Sequence, residues 1–137
     1  GSGITHSESN RSDNDSAHIL QIWILPQEKG LEPSWAEKTF DEAKKKDRWC
    51  PIATRDGSDG SLMICQDVAL YASVLSAGQS LTHQIERDRH AWVQVARGQI
   101  ELNGDKLSQG DGAAVSEERL LELKADRNSE ILLFDLK

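Results

Sequence analysis

From residue 50 onward, apolar and polar positions alternate in short runs divided by turn residues, which is the period of strands and not of helices. The pattern predicts strands at 50–54, 61–67, 69–76, 79–85, 91–97, 99–103, 105–108, 112–116, 119–125 and 129–135. Asn103-Gly104 sits between two alternating runs and marks a tight hairpin, because both central positions of a type I′ turn need φ > 0. Asp56-Gly57-Ser58-Asp59-Gly60 marks another loop. Many short strands at this spacing, with at most one or two short helical turns, predict an all-β fold of the sandwich or barrel kind.

The first third of the chain reads differently. Residues 1–17 hold one large apolar residue, Ile4, among Ser, Asn, Asp, Glu and Gly, and cannot offset chain entropy by burial. His18–Leu25 (HILQIWIL) then rises into an apolar, β-branched run closed by Pro26, which predicts a strand buried on both faces. Gln27–Ser34, with Gly30 and Pro33, is a connector. Ser34 and Glu37 form a capping-box pattern, and Asp41/Lys45 and Glu42/Lys46 are helical charge pairs, so a helix is expected somewhere in 35–46, with Trp35–Phe40 able to begin as an extended segment and the main helical element near 41–46.

Sixteen Lys+Arg against twenty-three Asp+Glu give the 137-residue chain a net charge of −7, which gains nothing from counterion release and argues against nucleic acid or an anionic membrane as partner. No run approaches the ~20 apolar residues of a spanning helix, and no basic-then-apolar leader opens the sequence. Cys50 and Cys65 fit neither a disulfide framework nor a zinc pattern, so two reduced thiols in a cytoplasmic protein are expected. The only methionine is Met63, and the chain is therefore expected to be a portion of something longer.

Candidate chemistry is sparse. His6 and Glu8 stand two apart, so on extended backbone both leave the same face, and an imidazole nitrogen with a carboxylate oxygen suits Fe(II), Mn(II), Ni(II), Cu(II) or Zn(II). A catalytic metal needs three or four protein ligands, for which His18, His83 and His90 are the remaining histidines. His18 borders the apolar run, while His83 and His90, seven apart, would face opposite sides of one continuous strand. The Asp56–Gly60 loop lacks the glutamate that an EF-hand carries at its twelfth position, where Asp67 stands, and is read as a turn. There is no nucleophile elbow and no phosphate-binding glycine loop.

GITHSESN (3–10), HILQIWILP (18–26), Arg55-Asp-Gly with Gly60-Ser-Leu, His83-Gln-Ile, Trp92-Val-Gln-Val, Asn103-Gly104, Gly110-Asp-Gly and the closing Ile131-Leu-Leu-Phe-Asp-Leu together resemble the C-terminal portion of pirin-like bicupins of the bacterial quercetin 2,3-dioxygenase type. The resemblance runs over essentially all of the chain and favours Ser2-Gly3 as native sequence. It implies a cupin-type antiparallel β-sandwich, or jelly roll. Residues 1–32 would be a remnant of an N-terminal cupin, with 18–25 as its last strand, and 33–137 would be the C-terminal cupin.

The resemblance also implies a divalent metal held in the N-terminal cupin of the intact parent by three histidines and one glutamate. His6 and Glu8 match the third histidine and the glutamate, and the His-x-His half falls outside this chain. Iron is the first expectation for that metal, with nickel, manganese, copper or zinc as alternatives. The C-terminal cupin offers no site of its own: counting back from Gly98, the cupin ligand positions fall on Gln84 and Glu86 or Ile85 and Arg87, and on Ala91. The intact parent is thus expected to be a metal-dependent dioxygenase acting on a flavonol such as quercetin, with Glu8 as ligand and proton acceptor. The alternative is a metal-binding, non-catalytic regulator that meets partner proteins. The chain alone is expected to be inactive, to hold no cofactor, and to pair as a homodimer through its exposed apolar run 18–25.

Overall fold

The computed structural model describes residues 3–137, so Ser2 and the start of the 1–32 remnant lie outside the described residues. Among the described residues one short α-helix, α1 (Glu42–Lys45), falls inside the segment expected to be helical. It is followed by β1 (Cys50–Thr54), β2 (Leu62–Met63), β3 (Val68–Leu75), β4 (Ser80–Gln84), β5 (His90–Arg97), β6 (Gln99–Leu102), β7 (Asp105–Ser108), β8 (Gly112–Val115), β9 (Leu120–Ala125) and β10 (Ser129–Leu136). A 3-10 turn at Ser58–Gly60 separates β1 from β2.

The strands form two packed sheets, of order β2-β1-β3-β10-β5-β8 and β4-β9-β6-β7. Every pairing is antiparallel except the short parallel contact of β1 with β2. This is the expected all-β sandwich. Asn103 and Gly104 both take positive φ, 47° and 96°, and turn β6 into β7 as their side-chain tolerance of that region requires.

Alternation along β10 divides its residues between two environments. Ile131, Leu133 and Asp135 lie in register with Ser73, Tyr71 and Ala69 of β3 and with Val95, Val93 and Ala91 of β5, and point between the sheets. There Leu133, Val93 and Val95 meet Ile100, Leu121 and Leu123 of the smaller sheet, all fully buried. Each such side chain contributes about 1.5–3 kcal/mol by leaving water. Leu132, Phe134 and Leu136, paired with Ala72, Leu70 and Val68, point the other way, so the larger sheet is apolar on both faces.

Two strand expectations need correction. Of 61–67 only Leu62–Met63 pairs, because 64–67 folds into a tight bend with Gln66 N–H donating to the Ile64 carbonyl and Val68 N–H to that of Gln66. The run 18–25 is not a strand and is not buried on both faces. No strand among the described residues pairs with it, so its backbone has no ladder. It lies instead across the outer face of the larger sheet, with His18 and Leu20 near Ala72 and Leu132, and Ile22–Leu25 near Trp92, Phe134 and Leu136. Trp23 and Leu25 stay 86% and 80% exposed.

Candidate functional site

The stretch around His6 passes beside the 19–25 run, and the two wall a groove of about 630 Å³ lined by Ile4, His6, Glu8, Ile19, Ile22 and Trp23 among others. His6 Nε2 and Glu8 Oε1 converge to 3.7 Å, both side chains more than half exposed. The two residues, two apart in sequence, thus stand side by side on one side of the chain. An imidazole nitrogen and a carboxylate oxygen at that separation are a donor set suited to a first-row divalent cation. Among the described residues, no third His, Cys, Asp or Glu joins them. His18 lines a different groove, beside Leu20, Glu42 and Lys45. The pair therefore supplies part of a coordination shell and leaves the remainder to other donors.

His83 and His90 are separated more thoroughly than alternation alone requires. The bend at 85–89 ends β4 before β5 begins, so the two stand on different sheets, and His90 Nδ1 pairs with Ser116 Oγ at 2.9 Å. His83 points between the sheets and packs against Tyr71 and Trp49, with ring centroids 5.4 and 6.4 Å away. Its Nε2 lies 2.8 Å from Asp135 Oδ2.

Asp135 also accepts from Arg89 Nε–H, and Arg89 donates further to Asp67 Oδ1 at 2.7 Å and to the Asp135 carbonyl at 3.0 Å. Burial alone would raise the Asp135 carboxyl, but the His83 and Arg89 hydrogen bonds outweigh it and hold Asp135 below the ordinary carboxylate value. Burial, and then the charge of Asp135, push the Tyr71 phenol upward. Asp67 is held low chiefly by its bond to Arg89. The carboxylates of this cluster, Asp135 and Asp67, are taken up by the Arg89 guanidinium and the His83 imidazole. The sequence does carry one signal for it, a lone acidic residue inside the apolar run Ile131–Leu136.

Residues 51–136 match the profile of the quercetinase C-terminal cupin domain. The chain belongs to this pirin-type cupin family. A quercetin 2,3-dioxygenase of Escherichia coli K12 is 40% identical over 136 residues, which are 99% of this chain and 58% of that protein. A pirin-like protein of Caulobacter vibrioides is 32% identical over 136 residues, with the same 58% of its length covered. The chain thus spans somewhat over half the length of the curated relatives it matches. Among solved structures, YhhW from Escherichia coli superposes with a TM-score of 0.80 at 37% identity, over 84% of this chain and 48% of that one. A structure of the same bacterial pirin in complex with nickel(II) superposes with a TM-score of 0.78 over 83% of this chain and 48% of that chain.

Proposed function

We propose that this chain is the C-terminal part of a metal-dependent, quercetin 2,3-dioxygenase-like pirin, in which residues 1–32 complete a preceding cupin and 33–137 form the second. His6 and Glu8 are two ligands of its divalent metal, iron first among the candidates, with nickel, manganese, copper or zinc as the others. The observation that carries the reading is the 3.7 Å convergence of His6 and Glu8 at the rim of an apolar groove. Relatives of 40% and 32% identity named quercetin 2,3-dioxygenase and pirin-like protein support the substrate class, and a nickel complex of a bacterial pirin supports a divalent ion.

The chemistry assigned to this chain is local. The metal, when bound, supplies Lewis-acid binding of substrate oxygens. Glu8 accepts the flavonol hydroxyl proton on its carboxylate, generating the electron-rich flavonolate that reacts with O₂. Ile4, Ile19 and Ile22 give an aromatic substrate an apolar wall.

The isolated chain is inactive and binds metal weakly in this reading, because two ligands leave most of the shell to water. The test is quercetin consumption by the longer protein supplied with Fe(II), Ni(II), Mn(II) or Cu(II). Metal-dependent turnover, lost in Glu8→Gln, supports the enzyme. A second reading is a non-catalytic, metal-binding regulator of the cytoplasm, favoured by the 86% exposure of Trp23 as a contact for another protein. Metal bound with no flavonol turnover would select it.

A further inference from the structure

A continuous line of polar contacts joins the space between the sheets to the segment lying outside them. Asp135 of β10 is bonded by His83 at 2.8 Å and by Arg89. Arg89 spreads its fork over Asp135, the Asp135 carbonyl at 3.0 Å and Asp67 at 2.7 Å. Gln66 Oε1 accepts from the Asp67 backbone N–H at 2.8 Å, and Gln66 Nε2 donates to the Leu25 carbonyl at 2.7 Å. Gln27 N–H donates to the Cys65 carbonyl at 2.9 Å. The bend at 64–67 is gripped by Arg89 on one side and grips the apolar segment on the other.

Among the described residues, those two bonds from Leu25 and Gln27 are the hydrogen bonds that fasten 18–27 to the sandwich. The remaining attachment is apolar and incomplete, with Ile19 at 56%, Trp23 at 86% and Leu25 at 80% exposure. A segment with so little burial and so few bonds opens at lower free energy than the core beneath it. The bend that carries both bonds is shaped by its own backbone hydrogen bonds, Gln66 N–H to the Ile64 carbonyl and Val68 N–H to the Gln66 carbonyl, and is tied to the sandwich by Arg89 through Asp67.

We propose that Arg89, clamped between Asp135 and Asp67, is the keystone of a latch that holds segment 18–27 on the outer face of the larger sheet, and that neutralising Asp135 releases it. A planar fork is required, because three acceptors in different directions are served by one guanidinium and cannot be served together by a lysine ammonium. The charge of Asp135 is required because a half-buried guanidinium that loses one carboxylate is left partly unpaired. The groups facing Asp135 are His83 from β4, Arg89 from the bend before β5 and Tyr71 from β3. Asp67 faces Arg89, with Lys137 and Arg55 nearby, and Asp59 lies near enough to Tyr71 to act on it. His83 and Arg89 hold Asp135 ionised until well into acid, so the latch is closed at neutral pH. Segment 18–27 is one wall of the groove that contains His6 and Glu8, so the latch sets the shape of that groove whether or not it takes a metal.

Amide hydrogen exchange in the 137-residue chain, expressed as protection factors, tests the latch without any metal. Arg89→Lys and Gln66→Ala are expected to lower protection of the Gln27 amide by about tenfold or more, while Ile100 and Leu123 in the smaller sheet keep theirs. Acid supplies a readout that survives a poorly folding variant: Gln27 protection in the unaltered chain falls through the carboxylate range before that of Ile100. Asp135→Asn should show the lowered value already at neutral pH. Gln27 protection that is unchanged in Arg89→Lys and Gln66→Ala, or that falls only together with Ile100 and Leu123, would overturn the proposal.

Discussion

His83 Nε2 and Asp135 Oδ2 meet at 2.8 Å across the sandwich, tying β4 of one sheet to β10 of the other. Their side chains are only 13% and 10% exposed, so the contact is largely shielded from water. Asp135→Ala removes the partner of both His83 and Arg89 and is expected to destabilise the fold by about 3–5 kcal/mol in urea denaturation at pH 7. The pH dependence has a definite sign. Asp135 has a lowered native pKa, so its contribution is present above the unfolded carboxylate value of about 4 and is lost as pH falls below it. The gap between Asp135→Asn and the unaltered chain should therefore shrink from pH 6 toward pH 3, and a gap constant over that range would contradict this assignment.

Leu133 is fully buried between the sheets, in register with Tyr71 and Val93. Leu133→Ala should cost about 2–5 kcal/mol, the sum of lost transfer energy and the cavity it leaves. Leu132, its neighbour on the outer face, should cost less on the same change. Equal losses at 132 and 133 in thermal or urea unfolding would mean that the face assignment is wrong.

Gly98 has φ +90°, and a Cβ there would collide with the backbone of Asn128 and Ser129. Ser129 Oγ fills that space, donating to the Gln99 carbonyl at 3.1 Å and accepting from Gln99 N–H at 3.0 Å. Gly98→Ala therefore meets backbone strain of about 1–3 kcal/mol in addition to the collision. A melting temperature unchanged by Gly98→Ala would refute the geometry given for this corner.

The apolar run 18–25 should drive self-association of this chain, as a twofold dimer in which exposed Ile19, Trp23 and Leu25 are covered by a second copy. Light scattering at high concentration should show a dimer mass that returns to monomer on replacing Trp23 and Ile24 by serine. A dimer that survives those replacements would acquit the segment, and a strictly monomeric parent chain would remove the idea.

The strands were legible because alternation and turn residues are local, and the turn at Asn103-Gly104 is specified by φ alone. Segment 18–25 was not, since a β-branched apolar run says only that it prefers extended backbone near apolar surface, and whether it forms a ladder depends on a partner strand. The helix at Glu42–Lys45 followed from its charge pairs. His6 and Glu8 converge because two-residue spacing is itself a geometric statement. The Asp135 cluster was hidden for the opposite reason: its members lie 22, 46 and 52 positions apart, and nothing local announces that Arg89 and His83 will reach the same carboxylate.

The claim that His6 and Glu8 serve a metal-dependent flavonol dioxygenase is tested most directly by following the loss of quercetin absorbance with the longer protein, metal-free and then reconstituted with one equivalent of Fe(II), Ni(II), Mn(II) or Cu(II), in unaltered and Glu8→Gln forms. The account predicts turnover that appears only with metal and drops by about two orders of magnitude or more when Glu8 can no longer accept a proton. Turnover that needs no metal, or that Glu8→Gln leaves unchanged, would contradict it.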